Sequence, residues 1–393
     1  MQGPTPTHEE FSLVAGGPAH WFQERFGLVK PGSSSLWLRV GVCIVLTWVP
    51  LLVLSAAEGV ALGNRVKLPF LYDFAAYARL LVAVPLLILA EGLVESRVPA
   101  AVRHFIRSGL VPEANMPRYE AALRHCKTLR DSIVAECVIV VVAAIGVVAV
   151  SREFNLDVTT WRSVVSDSVH RRSLSGWWYL VVANGLFQFL AWRWVWRVVI
   201  WYRFLWLMSK LDLRLIPTHP DRSGGLGFVG DSQRMFWNVV FGVSTASAGV
   251  LANEIVYGGV ALQSYTFPIA AYAVVILIVF LAPLLLFSPM LVEAKEKGVH
   301  EYGALAISHH HMFHRKWVHG ENPTADPVLG TPEISSLADL GAAYDILAEM
   351  RAVPFDPADA IVLLLAALLP MAPLLLTIMP LERLLELLSK LLV

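Results

Sequence analysis

Seven stretches of this chain are each long and apolar enough to cross the ~30 Å hydrocarbon core of a bilayer as a helix of about 20 residues. They cover 36–57, 75–93, 132–150, 177–198, 235–257, 267–291 and 358–379. Within hydrocarbon, backbone N–H and C=O groups must be satisfied by the protein itself, and a helix does this segment by segment. Composition points the same way. Hydrophobic residues make up 56% of the chain and charged residues 16%, against roughly 25% charged in a soluble domain. The mean hydropathy is +0.60. The expected fold is an all-α, polytopic transmembrane bundle of six or seven spans with cytoplasmic amphipathic helices. The fifth span is the least apolar, and Pro370 and Pro373 offer a break in the last.

The chain divides into an N-terminal segment (1–35), the bundle (36–380) and a leucine-rich tail (381–393). Residues 1–35 carry Glu9, Glu10 and Glu24 and no early apolar core, so the first span reads as uncleaved. Lys and Arg distribute unevenly across alternate connections. One side holds Arg65, Lys67, Arg152, Arg162, Arg171 and Arg172, while the other, including loops 97–131, 207–234 and 293–357, holds three times as many. The positive-inside rule then sets the N-terminus in the cytoplasm of a bacterial inner membrane. The formal net charge is zero, which leaves no basic surplus for nucleic acid. Cys43, Cys126 and Cys137 are scattered and odd in number, arguing for free thiols.

The connections carry helical patterns of their own. Tyr119, Ala122, Leu123, Cys126 and Leu129 predict a helix running straight into the third span. Thr331-Pro332-Glu333 resembles a helix start, placing Leu337, Leu340, Tyr344, Leu347 and Met350 on one face. The tail suits an amphipathic helix in the membrane interface, or a helix contact between copies. The expected partners are the lipid bilayer and a homo-oligomer. Trp177, Trp178, Trp192, Trp194, Trp196 and Trp201 bracket the fourth span as an aromatic belt. Arg193, Arg197 and Arg203 are expected to snorkel towards the cytoplasmic interface.

Four constellations are candidates for chemistry. The loop Pro217-Thr218-His219-Pro220-Asp221-Arg222-Ser223-Gly224-Gly225-Leu226-Gly227-Phe228 has free amides for an anion nest, with Arg222 adding charge. The plainer reading is a tight turn in which Asp221 caps the following segment and pairs with Arg222. His310, His311 and His314 share a helix face and suit a transition metal. A solvated basic helix is the plainer reading, and no other cofactor is expected. In the fifth span Asn238, Gly242, Thr245, Gly249 and Asn253 form one polar or small stripe. It suits close helix packing or a solute path. Glu91 and Glu136 are intramembrane carboxylates near the cytoplasmic side, with Arg39 at similar depth as a partner, and Glu254 ends the fifth span on the other side.

The run THPDRSGGLGF, together with SSLADLGAAYDILAEMRAVPFD before the last span, resembles bacterial multi-pass inner-membrane proteins of unassigned activity. The resemblance implies a membrane protein and transfers no catalytic residue. No nucleophile–base order or metalloenzyme pattern is evident. The expected function is therefore a channel or transporter for an ion or small solute. The alternatives are a membrane-embedded enzyme acting on a lipid or lipid-linked substrate, and a non-catalytic sensor or scaffold.

Overall fold

A computed structural model describes residues 11–29, 35–153, 159–166, 169–319 and 332–377. The interfacial tail and Thr331 lie outside them. The chain forms α1 (Pro18–Arg25), α2 (Leu36–Ala57), α3 (Phe74–Arg107), α4 (Met116–Arg130) and α5 (Ile133–Glu153). A short antiparallel hairpin follows, β1 (Ser163–Ser166) and β2 (Val169–Arg172), paired Ser163 to Arg172. Helix α6 joins Leu174–Trp178, a wider π-helical turn Tyr179–Ala183, and Asn184–Met208. Then come α7 (Phe228–Gly258), α8 (Leu262–Val318), α9 (Pro332–Ala348) and α10 (Pro357–Thr377).

Five helices among the described residues are long and apolar enough to cross a membrane: α2, α3, α7, α8 and α10. A sixth arises if the bent pair Glu113–Arg130 and Ile133–Ala149 is one span. Six or seven spans were expected; by length and apolar character five or six helices among the described residues qualify. The fourth expected span, 177–198, is helical throughout but is not among the five. Its tryptophans, Asn184 and Gln188 dilute the apolar run. A correction concerns the third span: α4 does not run straight into α5 but bends by 45° at Asp131 and Ser132.

Helix starts are held by side chains where the sequence supplies acceptors. Asp73 accepts from the Ala76 amide at the head of α3, and Ser173 from the Gly176 amide at the head of α6. Asp356 and Asp359 form a reciprocal capping box at α10. Helix α8 is far longer than a bilayer requires. Its second half carries Glu293, Lys295, Glu296 and Lys297, and α9 folds back along it with Leu347 buried and Lys316 Nζ 2.6 Å from Glu333 Oε1. Two further segments pack on the bundle: Tyr119, Ala122 and Cys126 of α4 are buried, and Phe11, Leu13 and Val14 join the main core.

The fifth-span stripe meets α3. A Cβ at Gly249 would lie 2.6 Å from Ala78 Cβ, 2.9 Å from the Phe74 carbonyl and 3.0 Å from Ala75 Cα. At Gly242 the nearest α3 atoms, the Ala83 carbonyl and Leu86 Cβ, are each 3.4 Å away. Small residues let the two backbones touch, the arrangement by which membrane helices gain dispersion contacts without a hydrophobic driving force. Gly249→Ala is therefore expected to lower stability by about 1–3 kcal/mol, the usual cost of overpacking. Thermal unfolding in detergent reads this as a reduced Tm, with Gly303→Ala, which has no atom within 4 Å of its Cβ position, as the control that should hold or raise Tm.

Candidate functional site

Helix α3 carries two buried charge layers. They sit at Asp73 and Glu91, roughly 27 Å apart at 1.5 Å per residue, close to the thickness of a hydrocarbon core.

Glu91 is buried and faces three arginines. Arg39 Nη2 of α2 stands 2.5 Å from Glu91 Oε2, and Arg197 Nη2 of α6 stands 2.8 Å from Glu91 Oε1. Arg193 Nη1 is 3.9 Å from Glu91, and Arg193 Nε is 4.0 Å from Glu136 Oε1 of α5. Nη1 of Arg193 is buried without a hydrogen-bond partner. Glu136 in turn accepts from the Ala19 amide at 2.8 and 3.0 Å, in the first turn of α1. The N-terminal segment thus lies directly over this layer, and Ser12 Oγ donates to Glu95 one turn beyond Glu91. His20 of α1 is held below its ordinary pKa by burial, which outweighs the attraction of Glu24.

The spacing anticipated Arg39 beside Glu91. It misplaced Arg193 and Arg197, which do not snorkel outward but are buried against Glu91. A carboxylate inside the bundle is costly unless paired, so the guanidiniums follow it inward. Arg203 stays peripheral, with Nε donating to His125 Nε2 at 3.3 Å and its guanidinium over the Trp206 ring. Glu254 accepts from the Tyr265 hydroxyl.

The second layer was not anticipated. Asp73 is fully buried, and its carboxylate accepts from the Ala76 amide at 3.0 Å, Asn253 Nδ2 at 2.7 Å and Trp161 Nε1 at 2.8 Å. Arg162 Nη2 closes the set at 2.5 Å. Asn253 completes the exchange by accepting from the Phe74 amide at 3.0 Å. Helix α7 and the connection before β1 are therefore both fastened to the head of α3. The other stripe residues sit differently. Asn238 is buried with its Oδ1 unpartnered, and Thr245 donates to the Phe241 carbonyl of its own helix at 2.8 Å. An Asp just before an apolar run was the available signal for this layer, as an N-cap.

The glycine-rich loop is closed on itself. Asp221 accepts from the amides of Ser223 (2.8 Å), Gly225 (3.1 Å) and Gly227 (2.8 Å), and His219 Nδ1 stands 2.9 Å away. Those amides, which an external anion needs, are occupied by the loop's own carboxylate. Arg222, Gly224 and Gly225 take positive φ, and Arg222 Nη2 reaches exposed Glu349 at 2.9 Å. The loop also binds the segment before α10. Arg351 donates from its amide to the Arg222 carbonyl and from Nη2 to the Asp221 carbonyl, both at 2.7 Å. At Gly230 a Cβ would lie 2.4 Å from the Pro354 carbonyl. Arg234, in the last turn before the span proper, pairs with Asp359. The two sequence stretches that carried the resemblance are thus the two halves of one junction.

His310, His311 and His314 do not converge. His310 Nδ1 donates to the Ala306 carbonyl at 2.7 Å, and the His314 ring lies 5.3 Å from that of His319. Among the described residues no group of three or more His, Cys, Asp or Glu is placed to hold a metal.

Comparison of the chain with family models, with curated proteins and with solved structures gives no match.

The junction has a pH signature. Burial raises the Asp221 pKa, but the three amides and His219 outweigh it and hold the carboxyl below its ordinary value. A depressed folded-state pKa contributes stability that is complete above the unfolded value of about 3.9 and is lost as pH falls through the folded value. Tm measured from pH 7 down to pH 3 is expected to fall on the acid side for wild type. Asp221→Asn should start lower at pH 7 and show a flatter acid limb.

Proposed function

We propose that this chain is a bacterial inner-membrane protein that passes an ion or small solute, its N-terminus in the cytoplasm. The observation that carries the reading is the Glu91 layer: a buried carboxylate on α3 and three buried guanidiniums on α2 and α6. Ionisable groups inside a membrane bundle are costly, and they mark substrate and ion pathways. Arg193 stands nearly equidistant from Glu91 and Glu136 and is hydrogen-bonded to neither. A guanidinium so placed can exchange carboxylates as a passing charge takes its place.

In this reading Asn238, Thr245 and Asn253 line the route along α7, closed by the contact of Gly242 and Gly249 with α3. The N-terminal segment over Glu136 covers the cytoplasmic mouth. The amphipathic α4 and the α8–α9 hairpin lie on the cytoplasmic side, as the basic-residue asymmetry supports.

Proteoliposome flux over a panel of small cations and anions tests the reading. Wild type is expected to conduct at least one of them. Arg193→Gln, which removes no hydrogen bond to either carboxylate, should change its flux or selectivity about tenfold while Tm stays near wild type. Glu91→Gln should lose both flux and stability, because unpairing a buried charge costs about 3–5 kcal/mol. No wild-type flux across the panel, or unaltered flux in Arg193→Gln, would overturn the proposal.

A further inference from the structure

Arg79 differs from the other arginines buried in this bundle. Arg39, Arg193 and Arg197 face Glu91, whereas Arg79 meets only neutral groups. Its Nη1 donates to the Tyr179 hydroxyl and to Asn184 Oδ1, the latter at 3.2 Å, and its guanidinium lies 5.2 Å from the Phe187 ring centroid. Its Nε is buried without a partner, and the residue is 7% exposed. No carboxylate stands within ion-pair distance among the described residues. An isolated buried cation is strongly disfavoured, and in water-free surroundings it calls for an anion.

The backbone around it is also unusual. Arg79 lies in a π-helical turn, Ala78–Ala83, and its partner Tyr179 opens the π-helical turn of α6. Such widened turns are rare and recur at functional sites. Two of them meet at this side chain.

Arg79 also lines one end of a cavity of about 510 Å³ between α6, α7 and α8, within the range of ligand pockets. From Phe187 to Tyr202 the cavity follows α6 for roughly 22 Å at 1.5 Å per residue. Its walls are almost wholly aliphatic or aromatic. It opens sideways, because Val195, Val199 and Val279 of the lining are exposed. Along the helix, Arg79 sits about 8 Å from the start of α3, nearer the Asp73 layer than the Glu91 layer. A long apolar groove with one uncompensated cation at its end matches an amphiphile in both charge and shape.

We propose that this groove is a binding site for a phosphate-headed anionic lipid of the surrounding bilayer, its phosphate held by Arg79 and its chain laid along α6. Guanidinium favours phosphate through paired charge-assisted hydrogen bonds. The site is separate from the Glu91 layer and does not depend on whether the protein conducts.

Native mass spectrometry and thermal unfolding of the full chain test this, with phosphatidylglycerol and phosphatidylcholine added to delipidated protein. Wild type should retain phosphatidylglycerol about fivefold better, the scale of one arginine acting on an anionic headgroup, and gain Tm from it. Arg79→Gln should lose that preference, and Arg79→Lys should keep part of it. Val199→Trp, which fills the open side of the groove and leaves Arg79 alone, should weaken retention of phosphatidylglycerol with Arg79 intact. Inorganic phosphate alone should give no Tm gain. Equal retention of the two lipids by wild type would overturn the proposal, as would wild-type retention of phosphatidylglycerol by Val199→Trp or Arg79→Gln. Full stabilisation by inorganic phosphate would do the same, since it would mark a phosphate site that needs no lipid.

Discussion

The pairing of Glu91 with Arg39 and Arg197 organises the rest of this bundle. A lone carboxylate at membrane depth is among the most expensive groups a helix can carry, and each guanidinium that approaches it brings its own helix along. Arg39 draws in α2 and Arg197 draws in α6, with Arg193 bridging towards α5 through Glu136. Three helices are thereby oriented about one side chain of α3. The apolar contacts between them, Val94, Val98, Trp194 and Val198 among others, then pack in a register that the charges have already chosen. Lipid is as apolar as leucine, so hydrophobicity alone gives membrane helices little reason to prefer one face over another. Polar groups supply that preference.

At its other end α3 is held by different means. Asp73 serves as N-cap, ion-pair partner and acceptor for Asn253 and Trp161 at once. Between its two anchored ends α3 lies against α7 through Gly242 and Gly249, and carries the π-helical turn that places Arg79. The stripe of α7 therefore does two things. Its glycines allow close approach, and its asparagine locks the approach at one end. Whether that contact opens decides whether the route along α7 is a path or a wall, which links packing to the proposed conduction.

Much of this was legible along the chain. Apolar runs located the helices, since length and hydropathy are local properties. The small stripe of the fifth span was visible as a helical repeat, and Glu91 and Arg39 were visible as charges at matching depth. The fate of Arg193 and Arg197 was not. At a span end an arginine can snorkel to water or turn inward to an acid, and only the position of a second helix decides between them. The bend between α4 and α5 escaped the periodicity for a similar reason: both segments are helical, and Asp131-Ser132 is too weak a breaker to announce an angle. Asp73 and Arg79 carried local signals, an acid before a span and a charge within one. Their partners, Arg162, Asn253, Tyr179 and Asn184, are 89, 180, 100 and 105 residues away.

The THPDRSGGLGF loop shows the division most clearly. Its glycines and its Asp announced a turn, and the structure contains one, with Asp221 collecting three amides of its own loop. That it is also the socket for Arg351 and the Met350–Phe355 stretch could not be read from either segment alone. By itself the sequence determined the class of molecule and the course of its helices, because burial of a backbone in hydrocarbon depends only on neighbouring residues. Only the tertiary structure decided which charges meet, which amides remain free and where a cation is left without a counter-charge. Those are properties of pairs of groups, and pairing happens in space.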